Sequence, residues 1–78
     1  MSNIGFYVSV IYNDDHRLVS GPYRTKERAE ANVDIIRKYI VDNYDQAIWY
    51  AYGVAKVTGN LQPGCLDETL HLDGINLL

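Results

Sequence analysis

The residues best suited to covalent chemistry lie close together near the C-terminus. Cys65 and His71 are six positions apart, with Asp67 and Glu68 between them. A thiol nucleophile needs a base within hydrogen-bonding reach and a site that positions the substrate. These residues lie in a stretch without a regular apolar pattern, and a lone thiol is ordinarily a small apolar side chain. The sequence therefore predicts no catalytic residue and no enzyme activity.

Metal and phosphate chemistry lack the residues they require. A structural zinc site takes four Cys or His ligands, and the chain has one Cys and two His. The acidic stretches 13–15 and 42–45 lack the remaining ligand positions of a calcium loop. The glycines Gly53, Gly59 and Gly64 are isolated, so no phosphate-cradling loop is formed. We expect no metal and no cofactor.

Tyrosine is the unusual feature of the composition. The 78 residues include seven tyrosines, against one phenylalanine and one tryptophan. Tyrosine provides a large contact area with few rotatable bonds and is enriched at protein interfaces. Which tyrosines are exposed depends on the elements that carry them.

Alternating and helical periodicities predict four elements. Residues 4–12 alternate as a strand, a polar turn at 13–16 leads to a second strand at 17–20, and residues 47–57 alternate as a third. Between them, apolar residues recur at helical spacing over 25–43, beginning at the N-cap candidate Thr25. The interpretation is an α+β fold of order ββαβ, an antiparallel three-stranded sheet with one long helix on one face.

The chain is expected to divide into a ββαβ domain at 1–60 and a C-terminal tail at 61–78. The tail packs on the domain or on a partner, and residues 69–72 are a candidate for a short fourth strand at the sheet edge. In the third strand, Trp49 is expected to face the helix. The opposite, bare face would then carry the partner-binding residues Tyr7, Ile11, Tyr50 and Tyr52.

Charge is unevenly distributed along the chain. Residues 1–38 hold six Lys/Arg and five Asp/Glu, net +1, and residues 39–78 hold one Lys and five Asp/Glu, net −4. Further partner-binding candidates are the acidic residues Asp42, Asp45, Asp67 and Glu68. A possible basic patch contains Arg17, Arg24, Lys26 and Arg28. The overall net charge of −3 disfavours direct nucleic-acid binding.

The expected location is the cytoplasm, which is the host cell cytoplasm if a phage encodes the chain. A single cysteine fits a reducing compartment. The first residues lack the basic and apolar regions of a signal peptide. No apolar run approaches the roughly 20 residues that span a bilayer, so no membrane partner is expected.

Two resemblances bear on function. Residues 20–31, SGPYRTKERAEA, are similar to the strand-to-helix join of small sheet-and-helix modules such as peptidoglycan-binding SPOR domains. The second half of that module and an export signal are missing, so the resemblance does not imply cell-wall binding. In size, acidity and architecture the chain resembles small phage and mobile-element proteins of the anti-CRISPR type. This resemblance implies a non-enzymatic inhibitor that blocks a host nucleoprotein or enzyme complex.

Two alternatives stay open at this point. The first is a homodimeric structural or regulatory protein, paired through the bare sheet face or the leucine-rich tail. The second is a single-stranded nucleic-acid binder that uses the basic residues of 17–28.

Overall fold

The computed structural model describes residues 3–12 and 14–77. The order of elements is β1 (Ile4–Tyr12), β2 (Asp15–Tyr23), α1 (Lys26–Asn43), a 3₁₀ helix (Asp45–Trp49), β3 (Ala51–Thr58) and α2 (Asp67–Leu72). The predicted α+β class, with a three-stranded antiparallel sheet and one long helix in the order ββαβ, is confirmed. Asn13, part of the predicted turn, lies outside the described residues.

Strand β1 is the centre of the sheet, whose strand order is β2-β1-β3. Val8 and Val10 project from it towards α1, and both are buried. Because side chains alternate along a strand, Tyr7 and Ser9 project from the opposite face. The sheet can bury apolar side chains on both faces of β1 only if something other than α1 covers the second face.

Helix α1 begins where the sequence predicts. The Thr25 hydroxyl accepts a hydrogen bond from the Arg28 N–H at 3.2 Å, which satisfies one of the free donors of the first turn. Ala29, Ile36 and Ile40 are buried on the face that meets the sheet. The stripe predicted from spacing is therefore the one that packs.

Strand β3 differs from its prediction in both start and register. The chain closes α1 with a hydrogen bond from the Tyr44 N–H to the Ile40 carbonyl, and then turns through the 3₁₀ helix, so the strand begins at Ala51 rather than at 47. Tyr52 is paired with Val10. Tyr52 therefore shares the helix-facing side of the sheet, and the predicted assignment of the two faces of β3 is wrong. Both faces of this segment carry apolar residues, so alternation alone did not identify the buried face.

The C-terminal segment packs on its own domain. The N–H groups of Gly64, Cys65 and Leu66 donate to the β2 carbonyls of Gly21, Leu18 and Val19, at 3.2, 2.9 and 2.9 Å. This backbone contact carries the chain past the β2 edge to the helix side. The residues of the segment that join or pack against the core there are Leu66, Leu70, Ile75 and Leu77.

The candidate fourth strand at 69–72 is wrong, because these residues belong to α2. The Leu70 N–H donates to the Leu66 carbonyl at 2.8 Å, a helical bond, and the Leu70 side chain is buried. A single leucine facing inward suits a short helix. Of the helices in the described part of the chain, none has the length and apolar character needed to cross a membrane.

Candidate interaction surface

Tyr7 lies on the predicted sheet face but is not exposed. Its side chain is 1% exposed, and its hydroxyl donates to the Gln62 carbonyl at 2.5 Å. The ring also lies against Gly21, where an added Cβ would come within 2.8 Å of it. The C-terminal segment thus covers this part of the sheet, and the expectation that Tyr7 is an accessible contact residue is wrong.

Tyr50 and Tyr52 lie on the helix-facing side of the sheet and not on the bare face. The two faces of this segment are the reverse of those predicted. The Tyr52 hydroxyl donates to the Ala47 carbonyl at 2.9 Å, and the Arg37 guanidinium lies 5.9 Å from its ring centroid. Burial raises the pKa of Tyr52 above its ordinary value, while Arg37 acts in the opposite direction. The hydroxyl and the ring of Tyr52 therefore both make contacts within the chain.

Exposed apolar side chains instead gather where the β1–β2 hairpin tip meets the end of α1. We call this surface the aromatic end. Trp49 is 87% exposed there, and it is the single tryptophan of the chain. The other members of the aromatic end are Ile11, Tyr12, Tyr44, Ile48 and Tyr50. Ile11, alone of the four predicted sheet-face residues, is a large side chain about half exposed.

A cleft of about 260 Å³ opens within the aromatic end. Tyr12 and Tyr50 form one wall, with ring centroids 4.6 Å apart and ring planes inclined by 49°. Tilted rings at this distance attract one another beyond the area they bury. The complete lining is Val10, Tyr12, Asp15, Arg17, Val19, Ile40, Tyr44, Tyr50, Cys65 and Leu66.

A second hollow of about 370 Å³ adjoins the cleft. It shares Tyr12 and Tyr50 with the cleft and adds Ile11, Gln46 and Trp49. The two depressions therefore border the same Tyr12–Tyr50 pair. Together they form a concave aromatic surface with Trp49 at its margin.

Local backbone structure places these side chains. The hairpin reverses next to Asp14, which has a φ of 67°, a left-handed conformation that aspartate tolerates better than most residues. This reversal sets Tyr12, the last residue of β1, opposite Asp15 in the strand register. Tyr44, extended at φ −137°, separates α1 from the 3₁₀ helix that carries Trp49.

The predicted acidic contact residues do not form one surface. Asp42 and Asp45 are exposed near the C-terminal end of α1, beside the aromatic end, and Glu68 is exposed on α2. Asp67 is half-buried, and its carboxylate accepts hydrogen bonds from the Ser20 hydroxyl at 2.8 Å and from the Gly64 N–H at 2.8 Å. Asp67 therefore fastens the C-terminal segment to β2, and its predicted role facing a partner does not match its placement.

The predicted basic patch is split between two ends of the molecule. Arg17 lies near the start of β2, while Arg24, Lys26 and Arg28 follow the end of that strand. Position 23 lies six residue steps along the strand from position 17, a span of about 20 Å. Lys26 is also paired with Glu30 at 3.7 Å. The four cations therefore do not act as one continuous site.

Cys65 is exposed and forms part of the cleft wall, whereas His71 lies on α2. No cluster of three or more His, Cys, Asp or Glu side chains suited to a metal ion occurs among residues 3–12 and 14–77.

Sequence reasoning missed Trp49 as an exposed residue, because its spacing fits an extended strand from 47. A usable signal was present in Asn43, Asp45 and Gln46, polar residues that favour a further turn after the helix.

Comparisons of the chain with protein-family models, curated proteins and solved structures found no match.

Proposed function

We propose that this protein is a non-enzymatic binding module that docks a partner protein on its aromatic end. The observation that carries the proposal is Trp49, 87% exposed beside the hollow that Tyr12 and Tyr50 line. Tryptophan and tyrosine are enriched among residues that dominate binding energy at protein interfaces. An exposed aromatic patch of this kind costs solubility, so its presence favours a role in contact with another molecule.

The shape of the surface supports the same function. Interface anchors are residues that insert into pockets, and the aromatic end offers both a projecting indole and an apolar cleft. A partner would insert a side chain into the cleft while its own surface covers Trp49. The sheet face that the sequence predicts to bind a partner is in part covered by the C-terminal segment and is less suited to this role.

Site-specific cross-linking tests the proposal. A photoreactive phenylalanine analogue replaces Trp49 in one variant and Ile4 in another, and each is irradiated in lysate of the native host. Ile4 is the matched control because it is 48% exposed and starts β1. It lies eight strand residues from Tyr12, about 27 Å away. We expect a discrete protein adduct from position 49 and none from position 4.

Affinity measurements with the cross-linked partner, once purified, complete the test. Trp49→Ala should weaken its binding by about tenfold or more, the effect of truncating a residue worth over 1.4 kcal/mol. Ile4→Ala should leave the affinity unchanged. Equal affinity of both variants, each shown by circular dichroism to be folded, would remove the aromatic end as the binding surface. An adduct with a second copy of the chain would favour the homodimer instead, and an adduct with nucleic acid would favour the nucleic-acid alternative.

The finer part of the proposal is that binding inhibits a host nucleoprotein or enzyme complex. Its support is the resemblance in size and acidity to anti-CRISPR-type proteins, together with the docking surface. A stoichiometric amount of the protein should then suppress the activity of the captured complex, and Trp49→Ala should not. Full activity of a saturated complex would show that the protein binds without inhibiting.

A further inference from the structure

We infer that the cleft of the aromatic end accepts an arginine side chain of the partner protein. The inference rests on the proposed function, because it names the chemistry that the partner presents to the same surface. The cleft lining includes the two kinds of group that hold a guanidinium, namely aromatic rings and a carboxylate. Tyr12, Tyr44 and Tyr50 provide the rings, and Asp15 provides the carboxylate.

Charge around the cleft favours a cationic occupant. Asp14 in the hairpin turn, Asp15 at the start of β2 and Asp45 at the start of the 3₁₀ helix are all exposed. Helix α1 ends beside the cleft with no Lys, Arg or His in its last turn, so no cationic side chain there offsets the partial negative charge of its C-terminal end. Residues 39–78 as a whole carry a net charge of −4. A basic segment of a partner is therefore attracted to this end of the molecule.

The choice of arginine over lysine follows from shape. A guanidinium is planar, stacks on aromatic faces and binds a carboxylate through two parallel N–H groups, whereas an ammonium is a compact, strongly hydrated charge. The chain already uses this chemistry internally, since Arg37 lies over the Tyr52 ring at 5.9 Å. An open cleft with three rings and one carboxylate offers the same contact to an incoming side chain.

Arg17 is the resident cation of the cleft lining. Within the described residues, the ion pair at 4.0 Å or less joins Lys26 to Glu30, and Arg17 forms none with Asp15. The Asp15 carboxylate is consequently available to a ligand. Arg17 instead repels an incoming cation, so its replacement by a neutral residue should improve binding.

Trp49 supplies a direct readout, because it is the single tryptophan and lines the adjoining hollow with Tyr12 and Tyr50. The intact chain is titrated at low salt with an oligo-arginine peptide that contains no aromatic residue. The comparison peptide has citrulline in place of each arginine, which keeps the shape and removes the charge. We expect the arginine peptide to change Trp49 fluorescence with saturation and the citrulline peptide to bind at least fivefold more weakly.

Matched variants separate a local site from a general effect of acidity. Asp15→Asn and Glu27→Gln remove one negative charge each, but Glu27 lies in the first turn of α1, at the other end of the molecule. Asp15→Asn should weaken arginine-peptide binding, and Glu27→Gln should not. Tyr44→Leu keeps apolar area and removes a ring face, so it should weaken binding about two- to fivefold. Arg17→Gln should strengthen it.

Three results would overturn the inference, namely equal binding of the two peptides, an equal effect of Asp15→Asn and Glu27→Gln, or no fluorescence change at all. None of these results bears on the proposed function, which is tested separately by cross-linking at position 49 and by the affinity of Trp49→Ala for the captured partner. If Trp49→Ala loses the captured partner but the arginine and citrulline peptides bind equally, the aromatic end is still the docking surface. Its cleft would then accept a group other than arginine.

Discussion

Gly64 tests whether the C-terminal segment is an integral part of the fold. A Cβ added at this position would lie 2.4 Å from both the Ser20 nitrogen and the Val19 carbonyl carbon. Both atoms belong to the β2 backbone and cannot yield as the end of a flexible side chain would. Gly64→Ala therefore has to push the segment away from β2.

The expected loss in the free energy of unfolding is about 3 kcal/mol. Forced overpacking of a tight contact costs about 1–3 kcal/mol. Lifting the segment also weakens the bonds from Cys65 and Leu66 to β2, each with a net worth of about 1 kcal/mol. Since a domain of this size has only a few kcal/mol of stability, the loss lies within reach of complete unfolding.

Gly53→Ala is the matched control. The nearest atom to an added Cβ there is the Ser9 Oγ at 4.0 Å, and neither Gly53 nor Gly64 has a positive φ. The same substitution should therefore change stability by less than about 1 kcal/mol at position 53. The two variants differ in what the methyl group meets and not in backbone conformation.

Urea unfolding followed by circular dichroism gives both free energies. Amide hydrogen exchange at Cys65 and Leu66 shows whether the segment has separated from β2. Equal stability of the two variants, with exchange at these amides unchanged in Gly64→Ala, would refute the close packing of the segment on β2. An unfolded Gly64→Ala chain beside a folded Gly53→Ala chain agrees with it.

Three further perturbations test separate contacts. Tyr7→Phe removes the hydroxyl that donates to the Gln62 carbonyl, and should lower the urea midpoint by an amount equivalent to about 1 kcal/mol. An unchanged midpoint would show that this hydrogen bond does not stabilise the fold. Thr25→Ala should cost about 1 kcal/mol in thermal unfolding because the helix loses its N-cap, whereas Thr25→Ser should match the wild type, and equal losses would contradict the capping role. Burial raises the pKa of Tyr23 above the ordinary value of a tyrosine, so the folded chain holds this proton more tightly than the unfolded chain does. The stability contributed by Tyr23 is then complete below about pH 10 and is lost as the pH rises through the folded value. Tyr23→Phe should make stability less sensitive to alkali, and an unaltered pH profile would contradict this assignment.

Helix α1 and strand β1 agree most closely with their predictions. Helix α1 has a single apolar stripe and a recognisable N-cap at Thr25, and its observed bounds follow these signals closely. Strand β1 matches its predicted range because apolar residues recur at every second position from Ile4 to Tyr12. In such elements, local preference and tertiary packing favour the same structure.

Strand β3 and α2 show where that agreement ends. The segment 47–57 is apolar on both faces, so its alternation is compatible with either register, and the 3₁₀ helix that sets the register is fixed by contacts such as the Tyr52–Ala47 bond. Residues 69–72 form a helix because Leu70 is buried there, a contact that local pattern does not reveal. Because the faces of β3 differ from the prediction, the candidate site lies at the aromatic end with Trp49 and not on the sheet face of Tyr7.

The C-terminal segment joins stability to the candidate site. Its residues Cys65 and Leu66 form part of the cleft wall, and the same two residues are held to β2 by backbone hydrogen bonds. Displacing the segment in a chain that stays folded should therefore remove this part of the cleft wall and leave Trp49 on its 3₁₀ helix. A chain ending at residue 60 would also lose the cover over Tyr7 and expose the sheet face first expected to bind. The surface available to a partner thus depends on where residues 61–77 pack, and not only on which tyrosines the strands carry.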